Sequence, residues 1–183
     1  MAKAIAASKR PKYVALLRGI NVGGNKKVEM ATLRKAFEDL GYTNVSTYIN
    51  SGNVIFESAS KDFAHLEKAL EAVFGFELAL IVRDAKTIRK IAAAIPEEWH
   101  NNEAMKTDIL FLWKGFDSAS TIELLGLNPE VDTVRYISGA LVWHLQRSHY
   151  AKSGMHKFIG TTVYKNMTAR NVNTVRKLAA LLG

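Results

Sequence analysis

Apolar and polar residues follow two rhythms along the chain, one near 3.6 residues and one of 2, and the changes of rhythm divide it into elements. "YVALLRGI", residues 13–20, reads as a buried strand. In "MATLRKAFEDLG", Leu33, Phe37 and Leu40 fall on one helical face and Gly41 supplies a stop. "VSTYI" and "NVIFES" are short strands joined by "NSG", a hairpin turn whose glycine can take positive φ. "DFAHLEKALEAVFG" predicts a second helix with Phe63, Leu66, Leu70 and Val73 inward, and "FELALIVR" a fourth strand. Strand, helix, strand, strand, helix, strand is the ferredoxin-like order.

A third helix is expected next, with Asp84 as N-cap, Ile88, Ile91 and Ile95 on its apolar face, and Pro96 ending it. Residues 96–106, "PEEWHNNEAMK", are polar, acidic and without a period, and read as a connector. Beyond them come a strand, "TDILFLW", a short helix, "SASTIELLG", a hairpin, "TVRYISGALVWHLQ", and a last helix, "TARNVNTVRKLAALL", with Val172, Val175, Ala179 and Leu182 at helical spacing. The hairpins also align in residues, from Tyr48 to Phe56 against Tyr136 to Trp143 with one gap at Asn50. The expected fold class is therefore α+β: duplicated ferredoxin-like units, βαββαβ followed by βαββα, with antiparallel sheets and helices packed on one face. The expected boundaries are a flexible basic tail at 1–12, an N-terminal subdomain with its linking helix at 13–95, the connector at 96–106, and a C-terminal subdomain at 107–183.

Three motifs stand in order at fitting distances: the RGINVGG loop, the YINSGNV hairpin and the TARNVNT stretch. Together they resemble the bacterial domain-of-unknown-function family 1697, from about Tyr13 to Leu182. The resemblance implies two ferredoxin-like halves and no particular activity. Val172 stands where a tryptophan is expected in relatives, at a packing position.

Composition narrows the classes of function. With 183 residues and 48% hydrophobic content the chain can bury a core. It has no cysteine, which removes disulfides, thiolate nucleophiles and cysteine-based zinc sites. No run approaches the ~18 apolar residues of a membrane span, and the basic start is too short and too weakly apolar for a secretory signal. A cytoplasmic protein without membrane partners is expected. The net charge of +8 is unevenly placed: residues 1–28 hold seven Lys/Arg and no acid, residues 133–183 eight and no acid, while residues 29–132 hold ten basic and seventeen acidic residues. If the two ends meet in the fold, they form one positive face.

The opening loop spans Gly19 to Gly24 with the first half of a phosphate-loop spacing, but Asn25 stands where a lysine is required and no Ser or Thr follows. A Walker site is rejected. Topology supports a weaker claim. In a ferredoxin-like unit the loop after the first strand shares one end of the sheet with the hairpin turn, so Arg18, Asn21, Gly23, Gly24 and Lys26 face Asn50, Ser51 and Asn53. The first helix also begins near that end, where its free N–H groups favour an anion. Against this stands the ordinary use of Asn and Gly in turns. In the TARNVNT stretch Thr168 is the expected N-cap, and Arg170, Asn171 and Asn173 would project from the first helical turn, either toward an anion or into buried hydrogen bonds that tie the halves together; the second reading is favoured.

His144, His149 and His156 lack a metal-binding spacing and an acidic neighbour in their segment, so neither a metal nor a cofactor is expected. The strands also lack the aromatic platform of RNA-recognition modules, Tyr13 being a single candidate and Tyr48, Tyr136 and Trp143 reading as core. The function expected is binding of an anionic ligand: a nucleotide, a phosphorylated metabolite, or nucleic acid held through its phosphates. The alternatives are an enzyme acting on a small phosphorylated or carboxylated metabolite with one of the histidines as base, and an interaction protein whose polar motifs are structural. The oligomeric state is not legible.

Overall fold

The computed structural model describes residues 10–183 except Asn25. The expected basic tail therefore lies outside the described residues through residue 9, as does Asn25 of the opening loop. The first half runs β1 (Lys12–Leu17), α1 (Met30–Asp39), β2 (Thr43–Tyr48), β3 (Asn53–Glu57), α2 (Leu66–Phe74), β4 (Leu80–Asp84) and α3 (Ala85–Ala93). The second runs β5 (Met105–Leu112), 3-10 turns at Lys114–Phe116 and Ala119–Leu125, β6 (Thr133–Ile137), β7 (Ala140–Gln146), 3-10 turns at Arg147–Lys152 and Gly154–Lys157, a one-turn α4 (Thr162–Lys165), β8 (Met167–Asn171) and α5 (Val172–Leu182). The fold is mixed α/β with two four-stranded sheets, ordered β2-β3-β1-β4 and β6-β7-β5-β8, and every pairing is antiparallel.

The sequence predicts helices on one face of each sheet; in the structure both faces of the first sheet are covered. Val14 and Leu16 of β1 point into a core shared with Ile88 and Ile91 of α3, Val172, Val175 and Leu178 of α5, and Ile109, Phe111 and Val142 of the second sheet. Tyr13, Ala15 and Leu17 point the other way, onto Leu33 and Phe37 of α1 and Leu66 and Leu70 of α2. The physical reason is in the strand itself. "YVALL" is apolar at every position rather than at alternate ones, so both faces need cover. The second sheet has the same need, and Leu110, Leu141, Trp143, Leu145 and Met167 on its far face pack with Met155, Phe158 and Val163. Each of the large side chains sealed completely in these cores, such as Phe37, Phe56 and Phe111, contributes about 1.5–3 kcal/mol of burial.

Other expectations shift at element ends. "SASTIELLG" winds as a 3-10 helix. The last helix does not begin at Thr168: Met167–Asn171 is an eighth strand, because its backbone pairs with β5, and Asn171 is the N-cap, accepting from the Thr174 N–H at 2.9 Å. Leu40 and Val73 are 37% and 51% exposed, since Ala36 and Phe74 take the inward places in those last turns. Asp84 caps α3 as expected, accepting from the Thr87 N–H at 2.6 Å.

The hairpin turn between β2 and β3 closes onto β1 through the Leu17 N–H and the Gly52 carbonyl, 2.8 Å apart. Gly52 has φ +74°, and a Cβ there would lie 2.8 Å from the Leu17 Cβ and 2.7 Å from the Ile20 Cδ1, so only glycine fits the turn without a shift of its neighbours.

Candidate functional site

Two five-residue stretches share a pattern that a strand-and-helix reading passes over: Arg83-Asp84-Ala85-Lys86-Thr87 and Arg170-Asn171-Val172-Asn173-Thr174. In both, an Asp or Asn ends the fourth strand of its sheet and caps the following helix through the Thr N–H. In both, the preceding arginine reaches into the other half. Arg83 donates to the carbonyls of Leu112 (2.6 Å) and Gly139 (3.5 Å). Arg170 donates to those of Leu17 (2.8 Å), Ser51 (2.9 Å) and Gly52 (3.2 Å), and its Nε to the Asn53 side chain at 2.6 Å.

Arg170 is buried, and among the described residues its partners are oxygens of carbonyls, an amide and the Thr168 hydroxyl, with no carboxylate. Desolvation pushes its pKa down to about 10, so it remains charged at neutral pH. Asn53, fully buried, spends its amide N–H groups on the Tyr48 carbonyl and the Ser51 hydroxyl. Thr168 donates to the Leu17 carbonyl. Arg83 is likewise lowered by desolvation, offset in part by Asp117 and Asp84.

The opening loop, hairpin turn and TARNVNT stretch meet through the Asn21 bond to Asn50 and the Arg170 bonds to Ser51 and Gly52, and much of this contact is internal bonding. Asn21 closes its own loop: its side chain accepts from the Val28 N–H and donates to the carbonyls of Val28 and Asn50. Asn50 is exposed beside a shallow cleft of about 430 Å³ that also holds Gly24 and Lys27. Glu29 is the N-cap of α1 there, so the chain sets its own acid at that helix end. Gly23 and Gly24 are exposed in left-handed conformations. Lys26 turns away to the Glu77 carbonyl and the Phe76 ring, and Asn173 donates to the Asn101 carbonyl of the connector.

Arg18 differs from all of these. It leaves β1 and extends over the Tyr164 ring, 5.1 Å from its centroid, with Nε donating to the Met167 carbonyl and one terminal nitrogen to that of Tyr164. Two of its five N–H groups are so used. Among the described residues it has no carboxylate within ion-pair distance. It lines a cleft of about 640 Å³ between the opening loop and the outer face of the second sheet. Lys106 and Asp108 stand in the same cleft, ion-paired at 2.7 Å, with the Lys106 ammonium 5.6 Å from the Trp143 ring and 6.0 Å from that of Tyr150. Sequence reasoning missed this pair. Its signal is Lys106 and Asp108 at alternate positions of one strand, hence on one face.

Trp113 holds the matching place in the second half. The Arg18 N–H donates to the carbonyl of Ala79, just before β4, and the Trp113 N–H to that of Asn166, just before β8. The cleft beside Trp113, Leu80 and Val82 holds about 350 Å³.

The histidines do not gather. His156 lines the Arg18 cleft, with Nε2 2.9 Å from the Tyr150 carbonyl. His149 is exposed. His144 is buried, stacked on Trp99 with centroids 4.4 Å apart, its Nδ1 2.8 Å from the Thr107 hydroxyl. Thr107 gives its proton to the His100 carbonyl, which makes Nδ1 the donor. Desolvation lowers the His144 pKa, opposed weakly by Glu98. Among the described residues, no three of His, Asp and Glu lie together as metal ligands would, and no helix is long and apolar enough to cross a membrane. Tyr13, the one candidate for base stacking, is 5% exposed and packed between Phe56 and Phe63.

The fold is mixed α/β, two four-stranded antiparallel sheets with arginines that cross between them. It belongs to the DUF1697 family of proteins of unknown function, whose model matches residues 11–143 and ends before the TARNVNT stretch. A solved structure of a conserved bacterial protein from Streptococcus pneumoniae is similar, with a TM-score of 0.78 and 29% identity over 94% of this chain and 99% of the other. No curated protein matches.

Proposed function

We propose that the chain binds a small anionic ligand in the cleft at Arg18. The observation that carries this reading is the contrast between Arg18 and Trp113. At matching places, one half carries a bulky ring beside about 350 Å³ and the other a guanidinium without a carboxylate beside about 640 Å³. The larger cleft combines apolar walls with a few fixed polar groups, as small-molecule sites do. The Met167 and Tyr164 carbonyls hold the Arg18 side chain in place, which lowers the ordering cost of gripping a phosphate or carboxylate with its remaining N–H groups.

The halves read as copies of one ferredoxin-like unit, and this supports treating Arg18 and Trp113 as counterparts. Their strand orders, helix caps and crossed arginines agree. On this reading Arg170, Asn53, Thr168 and Asn171 hold the site's frame, while Arg18 meets the ligand. The test is calorimetric titration of inorganic phosphate and small phosphate esters into the native chain and an Arg18→Gln variant. The native chain is expected to bind and the variant to lose most of the affinity while staying folded by circular dichroism, with a small drop in melting temperature for the lost bonds to Met167 and Tyr164. Equal affinity in both would remove Arg18 from the site.

A further inference from the structure

The two most exposed aliphatic side chains among the described residues, Val22 and Ile159, each 62% exposed, line the same cleft as Arg18. They come from opposite walls, Val22 from the opening loop and Ile159 from the segment after the Gly154–Lys157 turn. Single exposed apolar residues are ordinary on a protein surface. Two of them facing one cleft, with the half-exposed ring of Tyr150 beside them, make an apolar mouth around a fixed cation.

We infer that the ligand is an amphiphilic anion, a phosphate or carboxylate carried on an apolar body, with the anion on Arg18 and the body against Val22, Ile159 and Tyr150. This rests on the anion-binding reading above and adds the ligand's second half. Three features favour it over a polar-bodied anion such as a sugar phosphate. Among the described residues that line the cleft, the other lysine, Lys106, is paired with Asp108, which leaves Arg18 as the cation without a carboxylate partner and suits one anionic group. The Trp143 and Phe158 rings that back the cleft are buried and present no exposed polar edge for hydroxyl groups. Val22 and Ile159 remain in water until something apolar covers them.

The experiment compares phenyl phosphate with glycerol 3-phosphate and inorganic phosphate by titration calorimetry, on the native chain and on the variants Val22→Ser and Ile159→Ser. Both positions are exposed, so the variants are expected to fold, which circular dichroism checks. Phenyl phosphate should bind at least about tenfold more tightly than glycerol 3-phosphate, with a negative heat-capacity change. Each serine variant should shrink that preference while leaving glycerol 3-phosphate affinity unchanged. Equal affinities for the two esters would overturn the apolar body and leave anion binding standing. A preference that survives in both serine variants would overturn the assignment of Val22 and Ile159. No binding of any of the three to the folded native chain would overturn this inference together with the reading it rests on.

Discussion

Arg83 and Arg170 occupy matching positions and cap each other's halves. Arg83 donates to the Leu112 and Gly139 carbonyls at the end of the second sheet, Arg170 to the Leu17 and Gly52 carbonyls at the end of the first. Each arginine thereby adds a donor to the carbonyl that ends a first strand and to a hairpin-turn carbonyl that already accepts from that strand's last N–H. The arrangement ties the sheets together without a carboxylate at Arg170, and it fixes the strand end from which Arg18 enters the cleft.

Arg170→Met is expected to destabilise the chain by about 3 kcal/mol or more, because a buried donor is lost while the Leu17, Ser51 and Gly52 carbonyls and Asn53 stay buried. Urea unfolding measures it. The Arg83→Met change should cost less, about 1–2 kcal/mol, since Arg83 is partly exposed and makes fewer bonds across the junction. Equal losses would contradict the asymmetry.

Asp132 anchors the segment that walls the cleft. Its oxygens accept from the Trp143 indole, the Ser153 hydroxyl and the backbone N–H groups of Asn128 and Gly154. Burial pushes its pKa up, but these bonds outweigh burial and hold it below the ordinary 3.8. Its contribution is present above that value and lost as pH falls through the lowered folded pKa. Asp132→Asn turns an amide toward donors and should cost about 2–3 kcal/mol. The same variant should weaken phenyl phosphate binding, because Ser153 and Gly154 lead into the wall that carries Ile159.

His144 gives the stability a second pH dependence. Its folded pKa lies below the ordinary 6.5, so the unfolded chain takes up the proton more readily. Stability from this group is complete above about 6.5 and declines as pH falls from there toward the folded pKa, with a slope of up to about 1.4 kcal/mol per pH unit. Urea unfolding at pH 5 and pH 7 should show the decline in the native chain and a smaller one in His144→Gln, whose amide can keep a bond to Thr107.

The sheets and helices were legible where period and punctuation agree. Asp84 capping α3, the Gly52 turn and the apolar stripe of α5 all follow from local chemistry. The extra strand Met167–Asn171 was not, because five residues that include an expected helix cap carry too short an alternation to outweigh the helical pattern that follows them. Whether the two acid-free ends meet is not readable from the sequence; in the structure Arg18 and Arg170 bond between them. Which arginine is spent inside and which faces the cleft depends on tertiary surroundings. The "RDAKT" and "RNVNT" correspondence was the readable clue that Arg170 belongs to the frame. Lys106 and Asp108 were hidden at the edge of a stretch read as a connector.

The most direct test of the anion site is to locate a bound phosphate ester on the native chain by following backbone amide and arginine Nε resonances during titration with phenyl phosphate. The shifts should centre on Arg18, Val22, Ile159 and Thr168 and spare the basic cleft formed by Lys12, Lys61, Lys86 and Arg89. Shifts confined to that basic cleft, or no shifts at all, would contradict the assignment of the Arg18 cleft as the ligand site.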